Sequence, residues 1–248
     1  MENQSPGRPA SASTLPSLPS LPSPPTLSID LFTDIVCPWC FLGNERLERV
    51  LAASGRQAVV SHHPFLLDPQ TPPEGTDIPA MIRSKYGVDP HRVWSRLEAE
   101  ARKSGIDLDL SRVRYAYPTV RAHTLVRHAA DKGTQRALVR DLFRANFLDA
   151  KNISDLEELT RIAVRHGFTA AEVSRFLDDE RELAITRQDA AEAAASGITG
   201  VPFYVLDQRF AISGAQSEDV LRAAIERAVA EKTQPGDAEG RTESRQSP

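Results

Sequence analysis

The sequence predicts an α/β domain whose two β-containing halves are separated by a large all-helical insertion. Three observations carry this expectation. Strand-like apolar patterning occurs near residues 27–65 and again at 201–213, whereas 78–196 is patterned at helical spacing almost throughout. Each end holds two strands, and two strands alone cannot bury both faces of a sheet. Strands from both ends must therefore share one sheet, with helices covering it.

Each element follows from local chemistry. LSIDLFTDIV at 27–36 alternates Leu27, Ile29 and Leu31 with Ser28 and Asp30 before turning more uniformly apolar, as a strand entering a core does. From Pro38 the period becomes helical. Leu47, Val50 and Leu51 fall on one side, Glu45, Arg46, Glu48 and Arg49 largely on the other, and Gly55 ends the pattern. QAVVSHHPF at 57–65 reads as a second strand and LLDPQTPPEGTDIP as its proline-rich exit. Six or so helices follow. One is capped by Asp89 with Pro90 just inside and Gly105 after its end, and two open with capping-box patterns at Ser154/Glu157 and Thr169/Glu172. After SGITG the strands VPFYVLD and RFAIS flank a turn at Asp207-Gln208. A last helix begins near Ser217, with Val220, Leu221, Ala224, Ile225 and Val229 on its buried side.

The expected organisation is a Pro/Ser-rich disordered leader at 1–26, the first half of the core at 27–66, the helical insertion at 67–197, the second half at 198–232 and a disordered tail at 233–248. The leader lacks the basic start and the uninterrupted apolar stretch of roughly 7–15 residues that a secretory signal requires. No apolar run approaches the roughly 20 residues that span a bilayer, so a cytoplasmic protein is expected. With 34 acidic against 30 basic side chains, the formal charge of −4 favours neither nucleic acid nor an anionic membrane surface.

The only two cysteines, Cys37 and Cys40, stand in DIVCPWCFLG. Their spacing alone has three meanings: a reactive pair, half of a metal site, or packing. In a reducing compartment a close pair is more often catalytic, redox-sensing or metal-binding than a structural staple. Tetrahedral zinc would need two histidines. His62 and His63 are consecutive on a strand and point to opposite faces, while His91, His123, His128 and His166 lie on helices without convergent spacing. His123 and His128 read as packed or surface residues. No Gly-rich phosphate loop or serine-nucleophile elbow is present, so no bound cofactor is expected. Position supports the reactive reading: a helix start offers unpaired N–H groups and the positive end of the macrodipole, and both favour a thiolate at Cys37. Cys40, one turn in, can attack the sulfur of Cys37 and release a bound partner. Asp34 reads equally as a proton shuttle for Cys40 or as an ordinary strand-end residue.

The strand leading into CPWC and a helix, the long helical insertion, and GVP followed by two strands and SGAQ together resemble the thioredoxin-fold DsbA-type oxidoreductases, most closely the FrnE-like branch. HPFLLDP, AHTLVRHA at 122–129 and LFRANFLDAKNISD at 142–155 are similar to the helical region of that branch. The resemblance spans roughly 27–232 and implies a thioredoxin-like fold (β-α-β … β-β-α) carrying the insertion. It implies Cys37 and Cys40 as catalytic residues, and a cis Val201–Pro202 bond beside Cys37 that leaves the Val201 backbone free to pair with an extended substrate. Pro38, Trp39, Val201 and Pro202 would then contact substrate. Protein or small-molecule thiols and disulfides are the implied partners, with glutathione or another thiol as co-substrate. Two rival functions accompany this one. The first is a glutathione-dependent isomerase or transferase, since kappa-class glutathione transferases and 2-hydroxychromene-2-carboxylate isomerases share the fold; in them a serine commonly stands where Cys37 does. The second is a non-catalytic binding or chaperone module.

Overall fold

A computed structural model describes residues 26–232. The tail expected at 233–248 and, apart from Thr26, the leader expected at 1–26 lie outside these residues. Strand β1 (Leu27–Thr33) buries Leu27, Ile29, Leu31 and Thr33 in strict alternation. It runs parallel to β2 (Ala58–Pro64), with Leu31 opposite His62, and helix α1 (Pro38–Ser54) makes the crossover between them. The other edge of β1 pairs antiparallel with β5 (Phe203–Leu206), which pairs antiparallel with β6 (Phe210–Ser213). The sheet order β2-β1-β5-β6 thus joins both ends of the chain through β1. Helix α9 (Glu218–Lys232) covers the sheet beside α1, and Leu47, Val50, Leu51, Tyr204, Leu221 and Ile225 meet there.

Between β2 and β5 lie α2 (Ile78–Tyr86), α3 (Pro90–Lys103), α4 (Val120–Asp131), α5 (Gln135–Phe147), α6 (Leu156–Val164), α7 (Ala170–Asp178) and α8 (Glu180–Ala195). They number seven among the described residues, one more than the patterning suggests. A two-stranded ribbon, β3 (Thr76–Asp77) with β4 (Tyr115–Ala116), also occurs there; strands of two residues are too short to leave a period in the sequence. The insertion builds a second core around Leu125, Leu142 and Phe143, and the first turns of α1 enter it through Cys40, Phe41 and Leu42. The Phe41 ring lies 5.4 Å from Phe147 and 6.0 Å from Phe143.

Four local expectations are corrected. β1 ends at Thr33 rather than running to Val36, because the Cys37 N–H donates to the Asp34 carbonyl at 3.0 Å and closes a turn. The first cap of α6 is Asp155, whose side chain accepts the Glu158 N–H, and not Ser154; the Ser154 hydroxyl and N–H are both engaged by the Asn152 side chain. Val220 is 46 % exposed, since the buried stripe Leu221, Ile225, Ala228, Val229 leaves it about 100° off the face. Arg46 is buried rather than solvated, for a reason that belongs to the site. The Thr169/Glu172 capping box forms with both of its hydrogen bonds.

Candidate active site

Cys37 is the N-cap of α1, in extended conformation (φ −86°, ψ 112°), and Pro38 follows inside the first turn where its missing N–H costs nothing. The Cys37 carbonyl accepts the first intrahelical bond, from Phe41 N–H at 3.1 Å. No side chain caps this helix and its first turn carries no acidic residue, so nothing on α1 offsets the positive field of its N-terminus at the Cys37 sulfur. Both cysteines are free thiols. Cys37 is 5 % exposed and Cys40 fully buried, so the Cys37 sulfur is the one open to a partner. Burial raises the Cys40 thiol well above its ordinary value; the adjoining Cys37 sulfur and the Asp34 charge push the same way, against a backbone hydrogen bond from Asp34.

The second half of the core supplies the opposite wall. The Val201–Pro202 peptide bond is cis, and the Val201 carbonyl lies 3.9 Å from Cys37 Sγ. The Pro202 carbonyl accepts the Gly214 N–H at 2.8 Å, which ties the loop to the end of β6. Trp39 and Val201 are half-buried and pack against the insertion core, Pro38 is half-buried, and Pro202 is buried. The structure thus brings Cys37, Cys40, Pro38, Trp39, Val201 and Pro202 to one place, where α1, the 201–202 loop and the insertion meet.

Residues not singled out from the sequence hold this wall in position. A Cβ on Gly43 would stand 2.4 Å from the Tyr204 hydroxyl and 2.8 Å from Pro202 Cγ, so only glycine permits this approach of α1 to the proline loop. The Tyr204 hydroxyl is buried without a hydrogen-bond partner, and that burial, helped by Cys40, pushes its ionisation far up. Arg46 donates to the Ala215 and Gln216 carbonyls at 2.9 and 3.3 Å, to Ser104 Oγ at 2.8 Å and to Glu100 Oε2 at 3.0 Å. One guanidinium therefore clamps the SGAQ loop, α1 and the end of α3 together. The helical pattern put Arg46 on the charged side of α1, and the sequence carried no signal for this role.

Asp34 is also buried. Its Oδ2 accepts the Leu67 N–H at 2.8 Å, and Oδ1 stands 3.5 Å from His123 Nε2. His123 is 2 % exposed, whereas His128 pairs with Glu182 at 2.9 Å and stacks on Phe176. His62 and His63 do point to opposite faces. His62 is buried with both ring nitrogens unpartnered, and desolvation drives it down to about 3; half-exposed His63 meets Asp30 at 2.8 Å and stacks on Phe32. Among the described residues no three His, Cys, Asp or Glu side chains converge as a metal site. No described helix is long and apolar enough to cross a membrane.

A strand-to-helix CXXC facing a cis-proline loop, on a four-stranded sheet with an inserted helical domain, defines a thioredoxin-fold protein of the DsbA type. The model of the DSBA-like thioredoxin domain matches residues 28–226, and the chain belongs to that family. It is similar to the crystal structure of a probable DsbA oxidoreductase from Streptomyces coelicolor, at 34 % identity, with 84 % of this chain and 92 % of that one covered and a TM-score of 0.75. The uncharacterised protein YwbO of Bacillus subtilis is 26 % identical over 81 % of this chain and 96 % of its own length. The cytosolic disulfide reductase DsbM from Pseudomonas aeruginosa, solved with GSH, shares the fold: 18 % identity, 82 % of this chain and 99 % of that one covered, TM-score 0.59.

Proposed function

We propose that the protein is a thiol–disulfide oxidoreductase of the FrnE-like branch, acting through a mixed disulfide at Cys37 that Cys40 resolves. The observation that carries this reading is the asymmetry of the pair: two free thiols one turn apart, the first at a helix N-terminus facing the Val201 carbonyl and the second fully buried. In the reducing direction the Cys37 thiolate attacks a substrate disulfide, forming one S–S bond and releasing one substrate thiolate. Cys40 then attacks Cys37 Sγ, the mixed disulfide breaks, and the second substrate thiolate leaves. Two electrons have moved, and the Cys37–Cys40 disulfide returns to dithiol at the expense of two small thiols such as glutathione.

Substrates of this chemistry are proteins or small molecules bearing thiols or disulfides. Trp39 and the Val201 backbone border the reacting sulfur, and Val201 offers a main-chain edge to an extended segment. A reducing cytoplasm is the compartment in which a net reductase of this kind works. The presence of both cysteines weighs against the isomerase and transferase reading, whose members lack the pair. Reduction of insulin by the wild-type protein and not by Cys37→Ser is the expected result; equal turnover by both would overturn the proposal. Cys40→Ser should retain substrates as mixed disulfides on Cys37, releasable by dithiothreitol and identifiable by mass spectrometry.

A further inference from the structure

The Arg46 side chain is only 6 % exposed, and a cation buried to that degree is tolerated only where its donors are met. They are met in full. Nε donates to Ser104 Oγ, Nη1 to the Ala215 and Gln216 carbonyls, and Nη2 to the Glu100 carbonyl and to its carboxylate Oε2. Five acceptors thus stand opposite the five N–H groups that a guanidinium carries in one rigid plane.

The acceptors fall into two groups that belong to different parts of the molecule. Glu100 and Ser104 form the end of α3, within the insertion. Ala215 and Gln216 follow β6 and lead back to the site. Gly214, in left-handed conformation at φ 81°, donates its N–H to the Pro202 carbonyl at 2.8 Å, and Gln216 N–H donates to the Gly214 carbonyl at 2.9 Å. The residue before Pro202 is Val201, whose carbonyl lies 3.9 Å from Cys37 Sγ. Both Val201 and Ala215 also pack against the insertion core. A continuous series of hydrogen bonds therefore runs from α3 through Arg46 and the 214–216 turn to the loop that faces Cys37.

Resting on the redox reading above, we propose that Arg46 is a positioning residue through which the helical insertion fixes the main-chain edge at Val201, and with it the preference of the site for extended polypeptides over compact disulfides. An extended substrate gains from that edge only if it is already in place, because ordering a mobile loop during binding subtracts from affinity. A compact disulfide needs the Cys37 sulfur and little else. The role requires arginine rather than any cation: lysine is a point charge with three donors, and cannot hold two loop carbonyls and two α3 side chains at once.

The test compares two substrates that release the same coloured thiolate when Cys37 attacks. One is 5,5′-dithiobis(2-nitrobenzoate); the other is an extended peptide whose single cysteine is joined to one nitrothiobenzoate. In both, the Cys37 thiolate forms one S–S bond, breaks another, and expels the nitrothiobenzoate with the electron pair. For Arg46→Met the half-saturating concentration of the peptide should rise about tenfold relative to that of the compact disulfide, with the maximal rates little separated. Arg46→Lys should show most of this defect. The double variant Glu100→Gln with Ser104→Ala keeps Arg46 but cuts its side-chain anchors on α3; it should lose about threefold in the same ratio, and it decides the matter if Arg46→Met does not fold. Equal losses on both substrates would mark a purely structural arginine and overturn the proposal. A wild-type ratio in Arg46→Lys or in the double variant would overturn it as well, the first by showing that charge suffices and the second by removing the link to the insertion. If the wild-type protein releases no thiolate from either substrate, the redox reading itself falls, and this role with it.

Discussion

The two hydrophobic cores differ in what they do for the cysteines. The core between the sheet and α1/α9 is built from Leu27, Ile29, Leu31, Leu47, Ile225 and their neighbours, and contains neither thiol. The core of the helical insertion contains both, together with Phe41, Phe143 and Phe147. Helix α1 serves the two in turn, giving its first turns to the insertion and its last to the sheet. The insertion is therefore a wall of the site rather than an appendage to a finished fold, and the chemistry of Cys40 depends on how well that wall excludes water.

That contrast can be broken by emptying each core separately. Phe143→Ala should cost about 3–5 kcal/mol of stability and also raise the accessibility of Cys40, seen as faster alkylation of the second thiol by a small maleimide. Ile225→Ala should cost about 2–5 kcal/mol but leave alkylation of both thiols, per folded molecule, at wild-type rates. Equal changes at the thiols in the two variants would show that the cores act as one. A smaller effect is expected at the contact joining the proline loop to α1. Gly43→Ala forces a methyl group against Tyr204 and Pro202, costing about 1–3 kcal/mol by overpacking, and should slow thiol exchange more than its loss of melting temperature explains. The mildest prediction concerns pH. Because His62 titrates at about 3 when folded and near 6.5 when unfolded, the unfolded chain binds the extra proton. Its contribution to stability is full above about pH 6.5 and falls by up to about 1.4 kcal/mol per unit as pH drops towards 3. Urea titrations should show His62→Phe losing less stability than wild type between pH 6.5 and 4.5; parallel losses would contradict the assignment.

Much of the architecture was legible because it rests on local rules. The change of period at Pro38 marked the junction of strand and helix, and Thr169 with Glu172 announced a helix start that forms as written. Where the reading slipped, a competing local bond was responsible. Asn152 took the hydroxyl that Ser154 needed for capping, and the Asp34 turn stopped β1 before the apolar run ended. Arg46 was misplaced for a different reason. Its partners Glu100, Ser104, Ala215 and Gln216 are between 54 and 170 residues away, so a pattern that marks charge as solvent-facing has no way to register them.

The sequence by itself determined the class of fold and the pair Cys37 and Cys40 at a helix N-terminus, because each depends on spacing or period, whereas the pairing of that site with Val201 and Pro202 was implied only by the family resemblance of GVP. Tertiary structure alone decided that Asp34 meets His123, that Gly43 admits Tyr204, and that Arg46 clamps three segments. Those contacts join residues 89, 161 and up to 170 positions apart. Burial then fixes what one of the cysteines does: it is the loss of water around Cys40, not its identity in the chain, that raises its thiol well above the ordinary value.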